Sequence, residues 1–384
     1  MASKILWLCS WYPNDEYPYD GDFIQRHADA VSAYHEIDIL YVHKLIGKKQ
    51  LSNVQFRQRN KNLTEHIYIN QVSNEGILST LIGLVNYFLI HLRFIKKYGK
   101  PNLIHVQIPM KAGLVALYYK WFYKIPYIVT EHYGIYNPHL HDHFKTRNFI
   151  YRFATKLIMK YADTLTTVSH SLGEDINHWV LKKEFTVIPN VVDTNLFHYH
   201  PSQPKDRFQF IHISNMIPLK NVEGIIEAAE LLYKQRQDFK LVFLGSISPQ
   251  YQQLASTKNL LNTVIYFEGI LPYNQVATKM KESDALIIFS DTESQSCVVL
   301  ESLCSGRPAI VTNIGGVKEL IDNDNGYKVN VRNTVDLADK MNEIINQYNQ
   351  FNLEKISSEA TNKYSYAQVG KQFSDCYEEV ISKR

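Results

Sequence analysis

The feature that most constrains this chain is a rhythm. Short β-branched or aliphatic runs alternate with longer helical stretches, and the alternation breaks once and then restarts. In the first half the runs KILWLCS (4–10), IDILYVH (37–43), HIYINQV (66–72), LIHVQIP (103–109), PYIVTEH (126–132), TLTTVS (164–169) and FTVIPN (185–190) read as strands. Helical segments such as FIQRHADAVSAY (23–34) and AGLVALYYKWFYK (112–124) lie between them. Strands separated by helices imply crossover units and a mostly parallel sheet. The stretch VVDTNLFHYHPSQPKD (191–206), with its prolines and polar residues, reads as a linker. The pattern then resumes with FQFIHIS (208–214), KLVFLGS (240–246), TVIYFEG (263–269), ALIIFS (285–290) and PAIVTN (308–313). Two doubly wound, Rossmann-like α/β domains follow. In such sheets ligands sit beyond the carboxyl ends of the strands, so two facing domains place the main site in the cleft between them.

Length agrees with two domains: 384 residues exceed the ~250–300 at which single cores usually stop growing. Charged residues at 21% and hydrophobic residues at 45% are ordinary for a globular chain. Cys9, Cys297, Cys304 and Cys376 are scattered, without metal-ligand spacing or a disulfide framework. That pattern fits a reducing cytosol, and the start MASKILWLCSWYP is too short in apolar residues for a signal peptide. Residues 1–200 carry 22 Lys/Arg against 16 Asp/Glu, while residues 201–384 carry 19 against 22. A basic first half suits a phosphorylated acceptor or a membrane surface, and the excess is too weak to argue for nucleic acid. The longest apolar stretch, ILSTLIGLVNYFLIHL (77–92), is interrupted by polar residues and followed by Arg93, Lys96, Lys97 and Lys100. It reads as a buried helix with a solvated basic end, and an interfacial helix on anionic lipid is the second reading. Neither GxGxxG nor GxxxxGK[ST] occurs, which counts against a dehydrogenase and a P-loop enzyme.

The chemistry concentrates in SDTESQSCVVLE (290–301). ALIIFS is a strand, SDTESQ leaves its carboxyl end, and SCVVLESLCSG is a short helix stopped by Gly306 and Pro308. Glu293 therefore stands in the ligand-facing loop. Ser296 is the expected N-cap, and free amides near Ser296, Cys297 and Val298 can receive an anion. Glu301 falls just over one turn into the helix among apolar residues, where an unpaired charge is expensive. A sugar or ribose diol can donate two hydrogen bonds to it; a salt bridge to a neighbouring lysine or arginine is the alternative.

The segment resembles the E-x7-E motif of retaining glycosyltransferase family 4, and the resemblance extends over nearly the whole chain. CSWYPNDEYPYDGDF (9–23), IPYIVTEHYG (125–134), TVSHSLGEDI (167–176), VIPNVVDTNLF (187–197), FEGILPYNQVATKM (267–280) and TNIGGVKELI (312–321) look like further blocks of that family in the right order. The resemblance implies a GT-B fold, with an acceptor-binding domain over 1–195, a nucleotide-sugar domain over 196–365, and a last helix (366–384) returning to the first domain. It implies no bound metal or cofactor. The co-substrate would be a nucleoside-diphosphate sugar, UDP- or GDP-linked, and the partner a saccharide or lipid-linked acceptor. Peripheral contact with the inner face of a membrane is expected through the first domain.

Carried over by position, the resemblance makes Glu293, His132 and Lys220 catalytic. Glu293 would bind donor hydroxyls, His132 would stand near the sugar's 6-position, and Lys220 would stabilise the departing diphosphate. Glu301 would bind the ribose and be paired only by nucleotide or water. Gly21, Asn215, Ser294, Gln295, Ser296 and Cys297 complete the expected nucleotide-sugar contacts. One departure stands out: Asn215 occupies a position where the family usually has arginine, so bidentate phosphate binding is lost there unless a cation such as Arg26 compensates. Base choice is expected to rest on backbone near Ile270 to Tyr273. His139, His141 and His143 in HLHDH are spaced by two, and an acceptor-facing or solvated loop is expected there rather than a metal site. A sugar-nucleotide epimerase of the same fold and a non-catalytic relative are the competing readings.

Overall fold

The computed structural model describes residues 3–47, 54–72, 76–138, 140, 142–201 and 205–383. The first part of the chain runs β1 (Lys4–Cys9), α1 (Asp22–Val31), β2 (Glu36–Ile46), β3 (Val54–Asn60), β4 (Leu63–Val72), α2 (Ile77–Tyr98), β5 (Leu103–Gln107), α3 (Met110–Tyr123), β6 (Tyr127–Glu131), α4 (Phe149–Tyr161), β7 (Thr164–Thr167), α5 (His170–Trp179) and β8 (Thr186–Val187). These strands form one sheet in the order β3-β4-β2-β1-β5-β6-β7-β8. All its pairings are parallel except β3 with β4. The sequence reading passed over β3, because VQFRQRN is mostly polar. An edge strand needs only one packed face, and Arg57 and Arg59 on it protect the open edge from further pairing.

The second part runs β9 (Phe208–Ser214), α6 (Val222–Tyr233), β10 (Phe239–Gly245), α7 (Pro249–Thr257), β11 (Ile265–Gly269), α8 (Tyr273–Glu282), β12 (Ala285–Ile288), α9 (Cys297–Cys304), β13 (Ala309–Thr312), β14 (Gly326–Val329), α10 (Thr334–Gln347), α11 (Leu353–Tyr364) and α12 (Tyr366–Ser382). Its sheet has the order β11-β10-β9-β12-β13-β14 and is parallel throughout. Continuous apolar runs such as ALII and AIVT are buried completely, as a sheet covered on both faces requires. Helices α6, α7 and α10 pack on one face and α8, α9 and α11 on the other.

In the first domain α2 to α5 cover one face, and α1 covers the other together with α12. The chain's last helix thus completes the core of the first sheet: Val369, Phe373 and Tyr377 are fully buried, and the Tyr377 hydroxyl lies 2.6 Å from His105 Nδ1. Gly370 allows the close approach, because a Cβ there would stand 2.4 Å from the Ala30 carbonyl oxygen on α1.

Two expectations change. Helix α2 is not simply buried: Tyr87, His91, Phe94 and Ile95 pack inward, while Leu78, Leu81, Ile82 and Val85 on its first half are more than half exposed. It is long and apolar enough to cross a membrane, yet its inner face rests on β4 and β2. His143 is not solvated either. It is buried, its Nδ1 accepts from the Lys145 amide, and its Nε2 lies 3.1 Å from the Tyr136 carbonyl. His139 and His141 lie outside the described residues.

The α1–α12 seam yields a first prediction. Gly370→Ala is expected to cost about 1–3 kcal/mol, the usual range for overpacking, read as a lower urea midpoint. An unchanged midpoint would show that the two helices are not held at this spacing.

Candidate active site in the interdomain cleft

The loop from Asp291 to Ser296 leaves the carboxyl end of β12 and is clamped from both sides. From its own domain, the loop before the Val317–Leu320 turn presses on it. A Cβ at Gly315 would stand 2.1 Å from the Glu293 carbonyl oxygen, and one at Gly316 would stand 1.8 Å from that of Ser294. Gly315 also has φ +53°, so only glycine serves there on two counts. The Gly316 amide donates to the Glu293 carbonyl at 3.0 Å. From the first domain, Asn137 donates to Thr292 Oγ1 at 2.9 Å and Ser169 Oγ to the Ser294 carbonyl at 2.7 Å. The Asn190 amide donates to Gln295 Oε1 at 2.7 Å. Glu319 reaches across the same gap and accepts from the His170 and Ser171 amides at the start of α5, where a carboxylate is favoured. Ser294 and Gln295, expected as donor contacts, thus join the domains here. Ser296 is the N-cap residue of α9, and its side chain makes no capping bond.

Glu293 and Lys220 are brought together. Lys220 ends a short turn (Pro218–Lys220) before α6, and its Nζ lies 2.6 Å from Glu293 Oε1. The Ser290 hydroxyl donates to the same oxygen at 2.8 Å. Both side chains are largely shielded, at 23% and 11% exposure, so this lysine is not a freely solvated helix-start residue.

Glu301 lies one helix turn further on and is 3% exposed. It is paired by protein: the Tyr273 hydroxyl donates to it at 2.7 Å, and Arg26 from α1 approaches to 3.7 Å. This corrects the expectation that only nucleotide or water would pair it. Tyr273 was expected only as part of the backbone stretch beside the base; its side chain also builds the site, with its ring 4.9 Å beneath the Arg26 guanidinium. A tyrosine in LPYN gave no earlier sign of this, because the partner stands 28 residues away in sequence. Burial pushes the Glu301 carboxyl up to about 7 against the opposing pull of Arg26 and Tyr273. Around these groups is a cavity of about 350 Å³ that Asp22, Arg26, Asn215, Tyr273, Cys297 and Glu301 help to line. Asn215 is exposed there, on the same wall as Gly245 at the end of β10. Arg26, the proposed compensating cation, does reach this cavity, but as the partner of Asp22 (3.2 Å) and Glu301. Gly21 begins α1 with φ +69°, and a Cβ on it would meet the Trp11 backbone at 2.9 Å.

His132 follows β6. Its Nε2 lies 2.8 Å from Gln107 Oε1, and its Nδ1 has no hydrogen bond. Burial, then the neighbouring His27 and His105, hold its pKa well below the ordinary value, so the imidazole is neutral at physiological pH. With Nε2–H donating to Gln107, Nδ1 is left as the acceptor, and the Asn190 side chain lies beside it. Glu131 organises this turn: its carboxylate accepts from the His132 and Tyr133 amides and from the Tyr136 hydroxyl. Burial still pushes it up to about 7.

Two family models match adjoining parts of the chain and together span residues 53–364: Glycosyltransferase Family 4 over residues 53–196 and Glycosyl transferases group 1 over residues 196–364. The chain belongs to glycosyltransferase family 4. This glycosyltransferase is 28% identical over 227 residues to the N-acetyl-alpha-D-glucosaminyl L-malate synthase of Bacillus anthracis, a match covering 52% of this chain and 59% of that one. It is 25% identical over 348 residues to an uncharacterized glycosyltransferase of Methanocaldococcus jannaschii, covering 89% and 94% of the two chains. In three dimensions it is similar to Anabaena HepE in complex with UDP, with TM-score 0.73 at 16% identity, covering 98% of this chain and 100% of that one. The architecture is therefore GT-B, two α/β domains built on parallel sheets.

The raised Glu301 makes a signed prediction. A carboxyl whose folded pKa lies near 7, above an unfolded value of about 4.3, binds more protons in the folded state between those values. Its stabilising contribution is complete below about pH 4 and is lost as pH rises through 7. Glu301→Gln should flatten that loss by about 1–3 kcal/mol between pH 5 and 8, measured as urea stability at each pH. Glu131 titrates over the same range in both proteins and cancels. Identical slopes would mean that Glu301 is ionised throughout.

Proposed function

We propose that this glycosyltransferase moves a sugar from a UDP- or GDP-linked donor to a saccharide or lipid-linked acceptor with retention of anomeric configuration. The observation that carries this reading is the Lys220–Glu293 pair on the loop where the second domain meets the first. Donor binding exchanges partners: Lys220 turns to the diphosphate, and Glu293 accepts from donor hydroxyls. His132 Nδ1 accepts from a further sugar hydroxyl, while Glu301 and Tyr273 hold the ribose beside α8. UDP is favoured as the carrier because the similar Anabaena protein holds it.

Retention is proposed from the E-x7-E resemblance to retaining glycosyltransferase family 4. Glu131 is committed to two amides and a hydroxyl and Glu293 is assigned to donor hydroxyls, so no covalent intermediate is proposed on either and transfer is written as one front-side step. In the front-side route the bond from the anomeric carbon to the phosphate oxygen breaks as the acceptor oxygen bonds to the same face. The acceptor proton passes to the departing phosphate, and no protein base or bound metal is required. Lys220→Ala and Glu293→Gln are each expected to lower transfer at least 100-fold. Lys220→Ala should also weaken UDP binding; Glu293→Gln should leave it unchanged. Near-normal rates in both variants, or inversion of the product anomer by NMR, would overturn the reading.

We further propose that the reaction takes place at the inner face of a membrane, a reading supported by the outer surface of the first domain. Leu78, Leu81, Ile82 and Val85 of α2 and Phe149, Ile150 and Phe153 of α4 are exposed. Both stretches begin helices of the same layer at the carboxyl end of the sheet, with Arg152 and Lys156 beside the second. Apolar side chains flanked by cations suit an anionic lipid interface. Flotation with phosphatidylglycerol vesicles should recover the protein, and Val85→Glu with Phe153→Glu should reduce recovery at least fivefold. No recovery at low salt would remove the placement.

A further inference from the structure

A second cavity, of about 450 Å³, opens at the carboxyl end of the first sheet and does not include the residues assigned above to the donor. Its floor is built from strand ends: Cys9 at the end of β1 and Ser10 after it, Tyr41 to Lys44 of β2 and Asn70 of β4. Helix α2 closes one side with Thr80, Gly83, Leu84 and Tyr87, and the start of α3 closes another with Met110 and Lys111. The wall of α2 is held in place. Asn70 Nδ2 donates to the Gly83 carbonyl at 2.7 Å, and a Cβ on Gly83 would meet Val72 at 3.0 Å.

The polar groups around this cavity are mostly satisfied. Ser10 donates to the Ile108 carbonyl, Asn70 is committed to α2, and His43 lies 3.1 Å from Glu16. Lys44 and Lys111 are the exceptions: neither side chain has a hydrogen bond or an ion pair among the described residues. They are close enough that burial, and then the charge of Lys44, hold Lys111 below the ordinary lysine value. Two unpaired cations facing one hollow, with Leu84, Tyr87 and Met110 beside them, are complementary to an oxyanion attached to an apolar group. The cavity also adjoins the cleft. Its Trp11 wall touches Gly21 on the donor side, and the Trp11 ring packs on Tyr133, next to His132, with centroids 5.1 Å apart.

We propose that this pocket binds the phosphate-bearing part of the acceptor, with Lys44 and Lys111 as its counter-ions. It thereby selects an anionic acceptor over a neutral sugar. The apolar part of the acceptor lies along Leu84 and Tyr87, one helix face away from Leu81 and Val85, which face outward. This rests on the assignment of the cleft to the donor and names the class of molecule that meets it.

The test is calorimetric titration of the full chain at saturating UDP with decyl phosphate, glucose 1-phosphate and decyl glucoside, on wild type and on Lys44→Ala/Lys111→Ala. The expected result is at least tenfold tighter binding of decyl phosphate than of decyl glucoside, with at least a tenfold loss in the double variant and retention in Lys44→Arg/Lys111→Arg. If glucose 1-phosphate shows the same lysine dependence at equal affinity, the anion site stands and the acceptor is a soluble phosphate rather than a lipid. Decyl phosphate binding no tighter than decyl glucoside, or unchanged in the double variant, overturns the proposal. Thermal stabilisation by UDP is read in parallel and should be the same in all variants. Its absence in wild type would sink the donor assignment and leave the anion result to be judged on its own.

Discussion

A carboxylate at 3% exposure is expensive to hold without partners, and those of Glu301 come from two domains. Tyr273 belongs to the second domain, at the first residue of α8; Arg26 belongs to the first, on α1. Position of α1 is therefore a condition of the site. Gly21 turns the chain into it beneath Trp11, and α12 backs it through the Gly370 contact. The end of the chain thus supports the geometry of a pocket formed by residues from both halves.

The loop that follows β12 obeys a related constraint. A segment leaving a buried strand has backbone groups that must be satisfied, and here the carbonyls of Glu293 and Ser294 are taken by the Gly316 amide and by Ser169 of the opposite domain. The same contacts hold Glu293 where Lys220 meets it. Pre-organisation of this kind favours positioning over flexibility in the loop, and it requires glycine at 315 and 316 because any Cβ would collide with it.

Much of the architecture was legible as pattern. Apolar runs of four to seven residues between amphipathic stretches marked the interior strands of both sheets, because a strand covered on both faces has no solvent side to alternate with. Strand β3 was not legible, being an edge with little buried area, and neither was β14, whose GYKV contains few apolar residues. At the site, Glu293, Glu301 and Lys220 were named from one segment and one turn, but their partners were not. Tyr273, Ser169, Asn137 and Glu319 are ordinary residues in sequence, distant from what they bind, and nothing local distinguishes a tyrosine that pairs a buried glutamate from one that lies on a surface.

By itself the sequence determined that two parallel α/β domains would form, and that a carboxylate would be buried one turn into a short helix beyond a strand end. Both follow from hydrophobic periodicity, which is a local property. Only the tertiary structure decided how that charge is stabilised, how the loop before it is fixed, and which two lysines, 67 residues apart, face one hollow. Those outcomes depend on contacts between segments remote in the chain, and no spacing within a segment encodes them.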